Sequence, residues 1–372
     1  MLKKFDVIIV GGGVIGCVTA FYLAKEGHKV LLLEKDQVGL KSSSAAAGML
    51  GIQAELTEFN PLYPLAKQSM QLFPELVSEL KELTGIDVGY RRTGAIKPAF
   101  SEDELTQYSK IKAWQTSQGE HAELLTNEQL LELEPCLSDS ILGGLYFPNE
   151  SQVTATQLVR ALAAGATKYG ATIEEFQEVL ELVETDHQAQ GVKTLKGTYT
   201  ADHVVIASGV WSKNPSLIRD DVELYPLKGE ALSLKVSQPI LSTTLFSEAC
   251  YLTPKTADTI FVGATERPYS YDTTPTVNGI YQLLGAARSL LPALGEAQLE
   301  RVWAGLRPTT PTHLPYIGQS AHVEGLWYAF GHHRNGILLS AATGSVIAAL
   351  INGRDVDIDL SAFSPSQALV RR

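Results

Sequence analysis

Apolar positions along this chain follow two patterns: short continuous runs toward the N-terminus and alternating runs through the middle. Val7-Ile8-Ile9-Val10 is continuously apolar, as in a parallel strand buried on both faces. Gly11, Gly12 and Gly13 follow as a turn, apolar residues then recur at helical spacing over 14–26, and Gly27 stands where a left-handed cap ends a helix. Val30-Leu31-Leu32-Leu33 repeats the continuous run, so residues 7–33 predict a βαβ unit. A small polar stretch, 41–47, leads into Gly48-Met49-Leu50-Gly51, and the periodicity over 64–84 predicts two helices.

Beyond this the period shortens. Residues 94–100, 143–147, 231–236 and 259–265 are β-like runs, several alternating apolar with polar, and they predict a separate antiparallel sheet. Residues 156–169 read as an alanine-rich helix between them, while 171–183 and 203–208 predict strands that return to the first sheet. Residues 336–351 are apolar, but Ser340, Thr343, Gly344 and Ser345 interrupt a stretch already too short to span a bilayer. A buried helix is expected there, and no membrane partner.

Gly11, Gly13 and Gly16 form a G-x-G-x-x-G fingerprint between the first strand and its helix, and Glu34 ends the second strand about 20 residues on. Gly11 permits the turn, Gly13 lets a pyrophosphate approach the backbone, and Gly16 lets helix and strand pack closely. Glu34 is placed for adenosine ribose hydroxyls and repels a 2′-phosphate, which favours FAD or NAD over NADP. No second fingerprint is present for a nicotinamide reductant, so electrons are expected from a small substrate. Residues 203–209 form an apolar strand ending in small residues, which lets backbone pass close to a dinucleotide.

Composition narrows the partners. With 45% apolar and 19% charged residues the chain is globular, and its 372 residues suggest two domains. The net charge of -11 repels nucleic acid, so none is expected as a partner. Cys17, Cys136 and Cys250 lie far apart with no C-x-x-C pair, which gives neither a disulfide framework nor a zinc knuckle and fits a reducing cytoplasm. The apolar run after Lys3 and Lys4 is too short for a secretory signal. A cytoplasmic protein without a metal is expected.

Five segments together resemble one family. They are 10–16, Ser44-Ala45-Ala46-Ala47-Gly48-Met49-Leu50-Gly51, 205–211, Trp303-Ala304-Gly305-Leu306-Arg307-Pro308, and 331–339 with Gly331-His332-His333-Arg334-Asn335-Gly336. The resemblance is to the FAD-dependent amino-acid oxidases of the D-amino-acid oxidase and sarcosine oxidase type, thiazole-synthesis glycine oxidases among them, and it covers nearly the whole chain. It implies FAD contacts at Val14, Ile15, Glu34, Lys35, Ser42, Ser43, Ala47, Gly48 and Met49. Val179 and the segment of His332, His333, Arg334, Asn335, Gly336, Ile337 and Leu338 match its flavin-contacting positions. Arg307, Arg334 and Tyr251 fall where it engages substrate. Covalent relatives hold flavin through a cysteine after the arginine segment; Arg307-Pro308-Thr309-Thr310-Pro311 has none, so noncovalent FAD is expected. Phe246 and Ala249 stand where the glycine oxidase pattern has Tyr and His, and a less selective entrance is expected. A homotetramer is also implied.

The residue chemistry agrees. A guanidinium fork meets a planar carboxylate with two parallel charge-assisted hydrogen bonds, and Arg307 is the candidate clamp, with Tyr251 offering its phenol to the same group. Arg334 lies in a turn expected to open a helix, whose N-terminus would stabilise negative charge at the N1/C2 edge of reduced flavin. His332 and His333 are expected as backbone-positioned neighbours rather than bases. The expected reaction needs no side-chain base: a neutral amine, walled by Met49 to Gly51, gives hydride from its α-carbon to flavin N5. The imine hydrolyses to a keto acid and ammonia or passes to thiazole synthesis, while oxygen takes the electrons to hydrogen peroxide. Rival readings are a quinone-linked D-amino-acid dehydrogenase and a flavin-binding protein without turnover. The expected fold class is α/β, a Rossmann-like FAD-binding domain (1–85, 150–215, 320–372) interleaved with an antiparallel-sheet α+β substrate domain (86–149, 216–319).

Overall fold

The computed structural model describes residues 4–365; the outer ends of the expected FAD-binding domain, 1–3 and 366–372, lie outside the described residues. Two large sheets and a small one organise the chain. In the eight-stranded sheet Thr172–Glu174, Val30–Leu33, Lys4–Val10, Gly197–Ile206 and Leu326–Phe330 run parallel in that spatial order. Tyr316–Gln319 adds an antiparallel edge, and the hairpin of Val179–Thr185 and Gln188–Thr194 pairs with the outer half of Gly197–Ile206.

The continuous apolar runs follow from this layering. Val7 and Ile9 pack under helices Val14–Lys25, Ala155–Lys168 and Ser340–Ile351, while Ile8 and Val10 point to the other face with Leu182, Val192 and Tyr328. Successive strand residues point to opposite faces, so a strand covered on both sides needs an apolar residue at every position. Helix Val14–Lys25 sits close on its strand because Gly16 has no side chain; a Cβ there would overlap the Gly11 carbonyl oxygen.

The nine-stranded sheet joins Ala95–Ala99, Gly143–Phe147 and Glu123–Thr126 to a block from Tyr225–Lys235 to Gln298–Thr309. A three-stranded sheet of Met49–Leu50, Ser151–Gln152 and Arg91–Arg92 lies between the segments.

Four local expectations are corrected. Residues 64–84 belong to one helix, Leu62–Thr84, which passes through Pro74 because Leu65, Phe73, Leu76 and Leu80 keep a continuous buried face. Residues 171–183 break into Thr172–Glu174 and Val179–Thr185, separated at Phe176, whose φ of 53° is incompatible with a strand. The last long helix begins at Ser340 rather than 336, since Ser340 Oγ donates to Ile337 O at 2.8 Å and Leu339 N to Asn335 O at 2.8 Å in a preceding turn. The second sheet is not wholly antiparallel: Thr244–Phe246 runs parallel to Ala95–Ala99, two segments joined by a long crossover rather than a hairpin.

Candidate active site

A cleft of about 370 Å³ opens at the C-terminal ends of the parallel strands and reaches across to the face of the second large sheet. Crevices outside the carboxyl ends of such strands are where open α/β sheets take ligands. Gly11 sits at its floor with φ +111°, and a Cβ there would stand 2.7 Å from the Ala207 carbonyl oxygen. Glu34 is oriented by backbone: its Oε2 accepts from Gly12 N at 2.6 Å and its Oε1 from Asp36 N at 2.9 Å. Ser43 Oγ accepts from Val14 N at 3.0 Å, tying the loop after 40 to the fingerprint. Lys35 lies over the Trp211 ring at 4.4 Å beside the same cleft.

The fit to a dinucleotide is testable on these groups. Gly13 at the N-cap of helix Val14–Lys25 carries no side chain, and the first turn holds no acid, so apart from the Ser43 hydroxyl on Val14 N the positive end of the helix faces the cleft. That is the arrangement a pyrophosphate requires.

Further along the cleft, Ser42 Oγ donates to Leu306 O at 2.5 Å and Trp303 Nε1 to Ala45 O at 3.2 Å, so the 42–51 loop is fastened to the strand that carries Arg307. Gly48 takes φ +79° and packs where a Cβ would overlap the Val153 carbonyl oxygen. Behind Gly51 lies Glu150, 3% exposed, with Oε1 accepting from Gln53 N and Oε2 without a hydrogen-bond partner among the described residues. Burial pushes its carboxyl up to about 8.

At the substrate end, Arg307 lies on Gln298–Thr309 opposite Leu227, and its guanidinium occupies the space that Gly229 leaves; a Cβ at Gly229 would come within 2.6 Å of Nη1. Nη1 donates to Thr265 O at 3.2 Å, and among the described residues no carboxylate lies within ion-pair distance. Burial lowers its proton affinity, and the Tyr251 phenol acts in the opposite sense. Tyr251 faces Gly263 across the ladder, where any Cβ would overlap its Oη, and burial raises its phenol. Arg334 is placed differently: Nε lies 3.4 Å from Glu55 Oε2 and Nη1 3.4 Å from Glu266 Oε1, and the Glu55 charge holds its guanidinium above the ordinary value.

Both histidines are tied down. His332 Nε2 meets Thr343 Oγ1 at 3.1 Å; His333 Nδ1 meets Thr309 Oγ1 at 3.0 Å while its ring stacks on His313 at 4.5 Å. Burial pushes each imidazole down to about 3, so both rings are neutral near pH 7, each with a single ring N–H.

Among the residues singled out from sequence, Gly11, Gly13, Val14, Ile15 and Glu34 line the nucleotide end. Lys35, Ser42, Ser43, Ala47, Gly48 and Val179 continue the wall. Met49, Gly51, Phe246, Tyr251, Arg307 and Arg334 also line the cleft, with the 332–337 segment. Three stand apart. Gly16 serves helix packing, Leu338 is in the core, and Ala249 is exposed and does not line the cleft. Sequence reading missed Glu55, Glu266 and Glu150, whose positions carry no motif; only the tertiary approach of Arg334 and of the Gly51 turn reveals them.

The comparisons with known proteins agree with this geometry. Residues 6–350 match the family model described as "FAD dependent oxidoreductase" (DAO). The chain is 40% identical over 367 residues to a glycine oxidase of Geobacillus kaustophilus, covering 98% of this chain and 97% of that protein. It is 37% identical to the glycine oxidase of Bacillus subtilis, and 34% identical to a bifunctional protein ThiO/ThiG of Synechocystis of which it spans 55%. The solved glycine oxidase structure from G. kaustophilus superposes with a TM-score of 0.94, covering 97% of this chain and 98% of that one. The chain belongs to the DAO family of FAD-dependent oxidoreductases, as an FAD-dependent enzyme of the amino-acid oxidase type.

Proposed function

We propose that this enzyme oxidises glycine and other small amines of the same form, sarcosine and small D-amino acids, to imines that hydrolyse to a 2-oxo acid and ammonia, or methylamine in the case of sarcosine. The observation that carries the reading is Arg307, a guanidinium in the cleft with no carboxylate partner among the described residues, beside the buried phenol of Tyr251. That pair suits a substrate carboxylate by charge and geometry. Glycine oxidases at 37–40% identity over nearly the full length support the substrate class.

Noncovalent FAD supplies the acceptor for the two electrons that leave the substrate, and dioxygen removes them as hydrogen peroxide. The protein's part is placement. Arg307 and Tyr251 fix the acid end of the substrate, Met49 to Gly51 and Phe246 wall the α-carbon side, and the neutral histidines add no competing charge. In this reading the eight-stranded sheet and its helices hold the nucleotide, and the nine-stranded sheet presents the substrate residues. The ThiO/ThiG relatives support a role in thiazole synthesis. A homotetramer belongs to the same proposal and is checked by light scattering in solution.

The test is anaerobic addition of glycine, sarcosine or D-alanine to the yellow holoenzyme while the flavin absorption band is followed. Bleaching that air reverses, with peroxide formed, is the expected result. Colour that survives all three amines overturns the proposal, and bleaching that air leaves unreversed assigns a quinone-linked dehydrogenase instead.

A further inference from the structure

Two arginines share the substrate end, and their surroundings differ in charge. Among the described residues the Arg307 guanidinium hydrogen-bonds the carbonyl oxygen of Thr265, at 3.2 Å, and no carboxylate. Arg334 is held from two sides, by Glu55 from the turn Ile52–Glu55 and by Glu266 from the segment that follows strand Thr259–Gly263, each at 3.4 Å. The Phe246 ring lies 5.7 Å from the Arg334 guanidinium carbon. Lys97 Nζ also lies 4.9 Å from that ring, donates to Ala54 O and has its proton affinity lowered by burial; it does not line the cleft.

Two guanidinium groups and two carboxylates cancel. A substrate with one carboxylate settles on Arg307 and leaves the cluster with a single negative charge. Among the described residues that line this end of the cleft, a second carboxylate on the same substrate has no free cation to meet. It must lie against Glu55, which lines the cleft, or displace Glu55 or the more exposed Glu266 from Arg334, and either course is repulsive. We propose that Glu55 and Glu266 are specificity-determining residues that neutralise Arg334 and so make the site reject substrates bearing a second carboxylate. The inference rests on the reading that a small amino acid binds at Arg307.

Sarcosine and iminodiacetate test it, because they share the secondary amine and the first carboxylate and differ in a methyl against a carboxymethyl group. With holoenzyme at fixed ionic strength, wild type is expected to favour sarcosine. Glu266→Gln and Glu55→Gln are each expected to shift the kcat/KM ratio toward iminodiacetate by about tenfold, the effect of removing one nearby charge. A second readout needs no turnover: dissociation constants of acetate and malonate, measured from their perturbation of the oxidised flavin spectrum, should move toward malonate by a similar factor. Ratios that stay within about twofold of wild type in both variants overturn the inference, as does wild type that binds malonate more tightly than acetate. If glycine and sarcosine both leave the wild-type flavin coloured, the proposed function fails, and the acetate–malonate comparison still decides this inference.

Discussion

At the end of the cleft beside the glycine fingerprint, Gly12, Glu34 and Asp36 satisfy one another within one short stretch, while Ser43, Glu174 and Gln177 join them from farther along the chain. At the substrate end, Glu55, Tyr251, Glu266, Arg307 and Arg334 converge from five separate segments, and the carbonyl oxygen of Thr265 fixes the arginine that matters most. The first region draws mainly on partners close in the chain, and the strands that carry it are buried between two apolar layers. The second is held by long-range contacts, some half-exposed, with Arg334 about a third accessible. If the proposed roles hold, binding the cofactor and selecting the substrate are separable, and substitutions should damage one without the other.

The largest expected effect comes from Gly16→Ala. The new methyl would overlap the Gly11 carbonyl oxygen under a packed helix, which is expected to cost about 3 kcal/mol of stability and to yield colourless protein. Thermal unfolding and the flavin-to-protein absorbance ratio check this, and a stable yellow variant would show that the fingerprint tolerates a looser fit. Arg307→Ala makes the converse break: kcat/KM for glycine is expected to fall by about 100-fold through loss of charge-assisted hydrogen bonds, with the protein still yellow. Arg307→Lys keeps the charge without the fork and should recover only part of the loss.

Glu150 ties the comparison to pH. Its folded-state carboxyl titrates at about 8, above its ordinary value of 4.5, so between those values the folded protein holds a proton that the unfolded chain has released. Stability from this group is complete below about 4.5 and is lost as pH rises toward 8. Glu150→Gln, which cannot ionise, should flatten the decline of Tm between pH 5 and 8; an unchanged slope would mean the carboxyl is ionised in the folded state. The smallest effect is assigned to Tyr251→Phe, which removes one neutral donor and should raise KM for glycine by about fivefold while FAD stays bound.

The nucleotide end was legible because its chemistry is local: the glycine spacing, the strand before it and Glu34 after it lie in one stretch of sequence, and the fold kept them there. The substrate end was legible only through the resemblance of segments around Arg307 and Arg334. Nothing in the spacing of Glu55 or Glu266 marks either as a partner of Arg334, since acids are ordinary on exposed turns. Ala249 shows the same limit from the other side: its position in a matched segment suggested the pocket mouth, and the turn after Phe246 carries it out to solvent.

By itself the sequence determined the parallel strands and the glycine turn between the first strand and its helix, because short-range sterics and two-sided burial leave few alternatives for those residues. Only the tertiary structure decided which arginine stays free. That depends on whether a carboxylate from a remote loop reaches it, and long-range approach is set by how the two sheets pack rather than by any pattern along the chain.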